Sequence, residues 1–136
     1  MESTNKPIIA ITMGDPCGIG PEIICKSLSE LLNEYNFQPL ILGNLEALEY
    51  AQETIKTHIQ FIKIDSISRI KNLNDNVIPL IDDSNLDFRQ ISPGKISKEA
   101  GSASITWIHH SGKLAMNKSI SAIVSSPINK EACRLT

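Results

Sequence analysis

The segment from Met13 to Glu22, MGDPCGIGPE, constrains the fold more than any other part of the chain. It follows the apolar run Lys6 to Thr12 (KPIIAIT) and precedes IICKSLSELL, where Ile23, Ile24, Leu28, Leu31 and Leu32 recur at helical spacing. A short continuous apolar run suits a strand covered on both faces of a parallel sheet. Gly14, Gly18, Gly20 and Pro16 let the backbone turn sharply. Pro21 suits a first helical turn, where its missing N–H costs nothing, and Glu22 adds a charge favoured at a helix N-terminus. The opening is therefore a strand, a tight turn and a helix, the unit from which α/β folds are built.

The remainder repeats the pattern. Phe37 to Leu42 reads as a second strand closed by Gly43-Asn44, and residues 45–56 (LEALEYAQETIK) as a second helix. Residues 59–64 (IQFIKI) and 76–82 (NVIPLID) are further strand candidates, joined by a polar connection from Asp65 to Asp75. Asp83 to Gly94 reads as loop, punctuated by Pro93-Gly94. Ser97 to Lys118 is the longest helical pattern, with Ala100, Ala103, Trp107, Leu114 and Ala115 on one side. Ile120 to Val124 reads as a buried strand ending in Ser125-Ser126-Pro127, with a helix starting near Asn129. The expected architecture is a three-layer α/β/α fold with a mostly parallel sheet.

Composition narrows the function. A chain of 136 residues with 41% hydrophobic content is long enough for one core. Its net charge of -2, with both signs scattered, offers no basic stripe for nucleic acid. The first residues carry Glu2 and only a short apolar run, which speaks against a signal peptide or membrane span and for a cytoplasmic address. Cys17, Cys25 and Cys133 are odd in number and lack CxxC spacing, which favours reduced thiols over a disulfide framework or structural zinc. Cys17 sits in the opening loop, where it is open to exposure, but no neighbouring histidine is there to activate it. His109 and His110 project about 100° apart on a helix, not on the one face that a metal pair needs.

In open α/β sheets ligands gather at the carboxyl ends of strands, so the two turns at Met13–Gly20 and Ser125–Lys130 are the functional candidates. The first suits an anionic or dinucleotide ligand at the start of its helix. It is neither standard fingerprint: GK[ST] is lacking, and the third glycine of GxGxxG would fall at Ile23. A tight structural turn explains it equally well, with Asp15 capping a backbone N–H rather than facing a substrate. In the second, Ser125, Ser126, Asn129 and Lys130 put hydroxyls, an amide and a cation at a strand end, a set suited to phosphate or carboxylate. A solvated helix start is the alternative.

The string ITMGDPCGIGPEI at 11–23 closely resembles the N-terminal signature of the 4-hydroxythreonine-4-phosphate dehydrogenases, and IVSSPINKEA at 123–132 resembles their second signature. The segment between, including EAGSASI and the long helix, is similar in order and spacing. GDxxGIGPE is also similar to the related isocitrate and isopropylmalate dehydrogenases. The resemblance implies NAD- or NADP-dependent oxidation of 4-phosphohydroxy-L-threonine and loss of CO₂, a step towards pyridoxal 5'-phosphate. It implies a homodimer with a cleft between two α/β subdomains, assisted by a divalent metal such as Zn, Mg or Co acting as Lewis acid. Gly14, Asp15, Pro16, Gly18, Ile19 and Gly20 are then expected along the cofactor and domain cleft. Pro127, Asn129 and Lys130 are expected at the substrate end, with Lys130 contacting an anion.

Members of that family are much longer. Their Gly-His-Thr-Glu segment, three metal-binding histidines and phosphate-holding Lys, Asn and Arg all fall beyond Thr136, so residues 1–136 are expected to be the N-terminal portion of an incomplete dehydrogenase, cut short by truncation, proteolysis or an early stop. No catalytic residue or metal ligand is assigned within it, His58, His109 and His110 included, and alone it is expected to be inactive. Two alternatives accompany this reading. One is a paralogue for threonate or erythronate 4-phosphate. The other is a non-catalytic remnant that binds a dinucleotide or a partner chain.

Overall fold

The computed structural model describes residues 5–31, 34 and 36–136. Five strands form one parallel sheet: β1 (Ile8–Thr12), β2 (Gln38–Leu42), β3 (Gln60–Lys63), β4 (Val77–Ile81) and β5 (Ala122–Ser125). Their order is β3-β4-β2-β1-β5, every neighbouring pair being parallel. The helices are α1 (Gly20–Leu31), α2 (Leu45–Ile55), α3 (Lys98–Met116) and α4 (Lys130–Arg134).

The order dictates the layers. Right-handed crossovers that step from β1 outward to β2 and β3 put α1 and α2 on one face, and the return from β4 to β5 puts α3 on the other. Accordingly α1 packs against α2, while α3 lies over β1, β2 and β5. The expected three-layer α/β/α architecture is therefore found. Its core is built from Ala10, Leu40, Ile41, Leu42, Leu48 and Trp107, none of them solvent-exposed.

Local chemistry explains the boundaries. Asn44 caps α2 by accepting from the Ala47 N–H at 2.9 Å, and Ser97 caps α3 by accepting from Ala100 at 3.2 Å. The chain leaves α2 through Lys56 in the left-handed region, φ 57°. On α3 the stripe Ala100, Ala103 and Trp107 is buried, with Leu114 and Ala115 partly so. Gly101 is buried as well, because a Cβ there would overlap the Ala132 carbonyl; its absence lets α4 lie directly on α3.

Several expectations need correction. In α1 only Ile24 and Leu28 of the proposed stripe are buried; Ile23 and Leu31 are exposed, and Leu32 lies outside the described residues. Cys25 takes a place on the buried side instead. The polar connection after β3 contains a 3-10 helix, Ile67–Asn72, and the loop after β4 a shorter one, Phe88–Gln90. The last strand is not buried. Ile120, just before it, is covered, but all four residues of β5 are exposed, β1 being its sole neighbour among the described strands.

Candidate functional site

Parallel strands all end at one edge of the sheet, so the loops that follow the neighbouring β1 and β5 emerge side by side, and the loop after β4 leaves from the same edge. The loop after β1 turns at Gly14, whose φ of +72° is one that L side chains rarely adopt. A Cβ there would overlap the Pro127 carbonyl and lie 2.7 Å from that of Ser126. The two signature turns are thus in contact: Asp15 N–H donates to the Pro127 carbonyl at 2.9 Å and Ser126 N–H to that of Thr12 at 3.0 Å. From the far side Ser104 of α3 donates its hydroxyl to the Gly14 carbonyl at 2.6 Å. The loop before α3 joins them, with Gly94 N–H on the Cys17 carbonyl at 2.6 Å and Cys17, Ile91 and Ala100 in a small apolar cluster.

This packing assigns local roles to most of the singled-out residues. Gly14, Asp15, Pro16 and Gly20 are buried, Gly20 against the Met13 carbonyl. Asp15 accepts from the Cys17 N–H at 2.9 Å, the capping role that chemistry alone left open. Burial raises its pKa, and that hydrogen bond opposes the shift. Asn129 likewise caps α4 by accepting from the Ala132 N–H at 2.9 Å. Gly18, Ile19, Pro127 and Lys130 remain exposed, Ile19 by 58%. They form the exposed surface of this edge.

Cys17, open to exposure on sequence grounds, is buried. Burial pushes its thiol up to about 11, reinforced by the negative Asp15 and opposed by a hydrogen bond with the backbone of Ser92. Such a thiol is a packing group at neutral pH, not a nucleophile. Cys25 is also buried, and desolvation pushes it up to about 12.

Sequence reasoning missed the most heavily hydrogen-bonded side chain at this edge. Asp82, just past β4, accepts from Asn44 Nδ2 at 3.0 Å on one oxygen. Its other oxygen accepts from Trp107 Nε1 at 3.1 Å, the Ser84 hydroxyl at 2.6 Å and the Ser84 N–H at 3.0 Å. It ties β2, β4 and α3 together, a structural duty that leaves little acceptor capacity for a ligand. The available signal was an acidic pair following an apolar strand.

Beside it opens a cleft of about 750 Å³ bounded by Lys63, Asp65, Arg69, Asn72, Asp83 and His110. It lies at the ends of β3 and β4, away from the two signature turns on β1 and β5. His110 Nδ1 stands 3.0 Å from Asp83 Oδ2 without the alignment of a hydrogen bond, whereas His109 is exposed. Among the described residues no group of three or more His, Cys, Asp or Glu side chains could hold a metal ion. No described helix is long and apolar enough to cross a membrane.

Comparison with known proteins places this geometry in context. The family model described as pyridoxal phosphate biosynthetic protein PdxA matches residues 35–136. A 4-hydroxythreonine-4-phosphate dehydrogenase of Trichlorobacter lovleyi is 38% identical over 130 residues, which are 96% of this chain and 39% of the relative. A protein of Clostridium botulinum named "Putative D-threonate 4-phosphate dehydrogenase" is 35% identical with the same coverage. The crystal structure of a 4-hydroxythreonine-4-phosphate dehydrogenase from Burkholderia phymatum superposes with a TM-score of 0.87 at 30% identity, over 97% of this chain and 39% of that one. The chain spans about two fifths of the length of the relatives it matches.

Proposed function

The chain belongs to the PdxA family of pyridoxal phosphate biosynthetic proteins, and from that premise we propose that it supplies one wall of the active-site cleft of a dehydrogenase for a phosphorylated hydroxy acid. The observation that carries the reading is the contact between the two family signatures, Met13–Gly20 and Ser125–Lys130, at the carboxyl edge of a parallel sheet. The preferred reaction is NAD-dependent oxidation and decarboxylation of 4-phosphohydroxy-L-threonine. Residues 1–136 are then one part of a two-subdomain enzyme.

A nicotinamide cofactor would supply the hydride acceptor. This chain's exposed Gly18 and Ile19 border the N-terminus of α1, a twelve-residue helix, whose free N–H groups suit a phosphate of such a cofactor. The buried Gly14, Asp15, Pro16 and Gly20 act at one remove, by holding that turn in shape. Lys130, exposed at the start of α4, would meet an anionic group of substrate or cofactor. A divalent metal does not fit the described residues, which provide no ligand cluster, so no step is derived through one.

The test is NAD reduction by the full-length enzyme with 4-phosphohydroxy-L-threonine. Turnover is expected, and Lys130→Ala should raise a Michaelis constant about tenfold or more, the worth of one charge-assisted hydrogen bond. No reduction with this substrate but turnover of D-threonate 4-phosphate would select the second reading, which the C. botulinum relative favours. Turnover of neither would refute the assignment. The 136-residue chain on its own should be inactive.

A further inference from the structure

We infer that Ser104 is a positioning residue for the turn after β1: its hydroxyl fixes the Gly14–Asp15 peptide, and through it the place where Gly18, Ile19 and the start of α1 meet a cofactor. The first observation is where the hydroxyl points. A serine or threonine inside a helix commonly bonds a carbonyl one turn back on its own helix, as Thr106 does to Ser102 at 3.0 Å and Ser111 to Ile108 at 2.7 Å. Ser104, only 1% exposed, instead leaves α3 and donates to the Gly14 carbonyl at 2.6 Å. Gly14 is buried, and among the described residues no other group donates to that carbonyl, so this bond alone keeps the acceptor satisfied.

The second observation is what else that peptide holds. The Gly14 carbonyl and the Asp15 N–H belong to one planar unit, and the N–H donates to the Pro127 carbonyl of the second signature at 2.9 Å. One peptide is therefore gripped from both sides, by α3 and by the turn after β5. Order passes outward from it. The Asp15 carboxylate accepts from the Cys17 N–H at 2.9 Å, and the Asp15 carbonyl accepts from the Gly18 N–H at 3.0 Å, beside exposed Ile19 and just before α1 begins at Gly20. The neighbours of Ser104 on the same side of α3 serve the same edge: Gly101 admits the Ala132 carbonyl of α4, and Trp107 donates to Asp82. Ser104 is the member of this row that reaches the first signature.

The inference rests on the cofactor reading of this turn, so its test has one arm that turnover does not enter. Ser111→Ala is the matched control, since it removes an equally buried hydroxyl from the same helix, but one bonded to α3 itself. In the 136-residue chain Ser104→Ala should speed amide exchange at Asp15 about tenfold relative to the amides of β2, and Ser111→Ala should leave that ratio unchanged. In the full-length enzyme Ser104→Ala should raise the Michaelis constant for NAD about fivefold, with the turnover number and the Michaelis constant for the hydroxy acid held within about twofold. Ser111→Ala should move none of the three. Unaltered exchange at Asp15, or an acceleration shared equally by β2, would overturn the clamp. A faster Asp15 amide with an unchanged Michaelis constant for NAD would overturn the positioning role. An enzyme that reduces NAD with neither substrate would overturn the cofactor reading and the positioning role with it, and is told apart because exchange at Asp15 still responds to Ser104→Ala.

Discussion

Strands β2 and β5 flank β1 on opposite sides, run parallel to it, and carry similar short apolar sequences, QPLIL and AIVS. Leu40, Ile41 and Leu42 of β2 have no solvent exposure, whereas every residue of β5 is exposed. The difference is one of surroundings. β2 has β4 on its outer side, α3 packed over it and Met13 and Trp107 in the same core, whereas β5 has β1 and α3 but no outer strand. An apolar side chain contributes by the area it loses to water, so the same residue type is worth about 1.5–3 kcal/mol in one strand and a fraction of that in the other.

The sharpest way to break the comparison is Leu40→Ala against Val124→Ala. The first should cost about 3 kcal/mol through lost burial and a cavity, the second less than about 0.5 kcal/mol, both from urea midpoints. Equal losses would mean that β5 is as well covered as β2. Next is Gly14→Ala, which forces a Cβ into the Pro127 carbonyl at a positive φ; a loss of about 2 kcal/mol is expected. Because Gly14 fastens the loop after β1 to the turn after β5, amide exchange in this variant should rise at β5 before β2.

Trp107→Phe probes the buried side. It keeps most of the ring but removes the N–H that donates to Asp82, and should cost about 1 kcal/mol while leaving exchange at β5 unchanged. The smallest effect concerns pH. Burial raises the pKa of Asp15 above its usual 3.8, so the folded state holds that proton more tightly than the unfolded chain. The cost of the buried charge is present at neutral pH and is relieved as pH falls through the raised value. Asp15→Asn keeps an acceptor for the Cys17 N–H and removes the charge. It should therefore gain stability over wild type at pH 7 and lose that advantage near pH 3.8; a constant difference across that range would exclude the burial effect.

Sequence periodicity was sufficient for elements whose pattern is self-contained. The run Ile8 to Thr12, the stripe Ala100, Ala103 and Trp107, and the helix starts at Ser97 and near Asn129 all announce themselves through spacing or local chemistry, whereas the capping role of Asn129, read in the sequence as a ligand-side amide, emerges only from the fold. Exposure of β5 was not legible, because it depends on which strands stand beside Ile123 and Val124, and strand order is a property of the whole chain. The burial of Cys17 depends likewise on Ile91 and Ala100, which reach it from the loop before α3 and from α3 itself. The roles of Ser104 and Asp82 escaped notice for the same reason. Their partners Gly14, Asn44 and Trp107 are remote in sequence, and a serine on a helix or an aspartate after a strand is too common to signal a junction.

The position of β1 at the centre of this arrangement has a kinetic consequence. Its pairing with β2 closes a modest loop, but Ile9 meets Ala122 only after α2, β3, β4 and α3 have been threaded between them. Contacts between distant parts of a chain form late, since loop-closure entropy is spent before they give anything back. Until α3 swings β5 into register, one side of β1 stands open beside the glycine turn. The strand that is least covered in the finished molecule is thus also the natural last arrival, and assembly should stall at the same border where the folded sheet is thinnest.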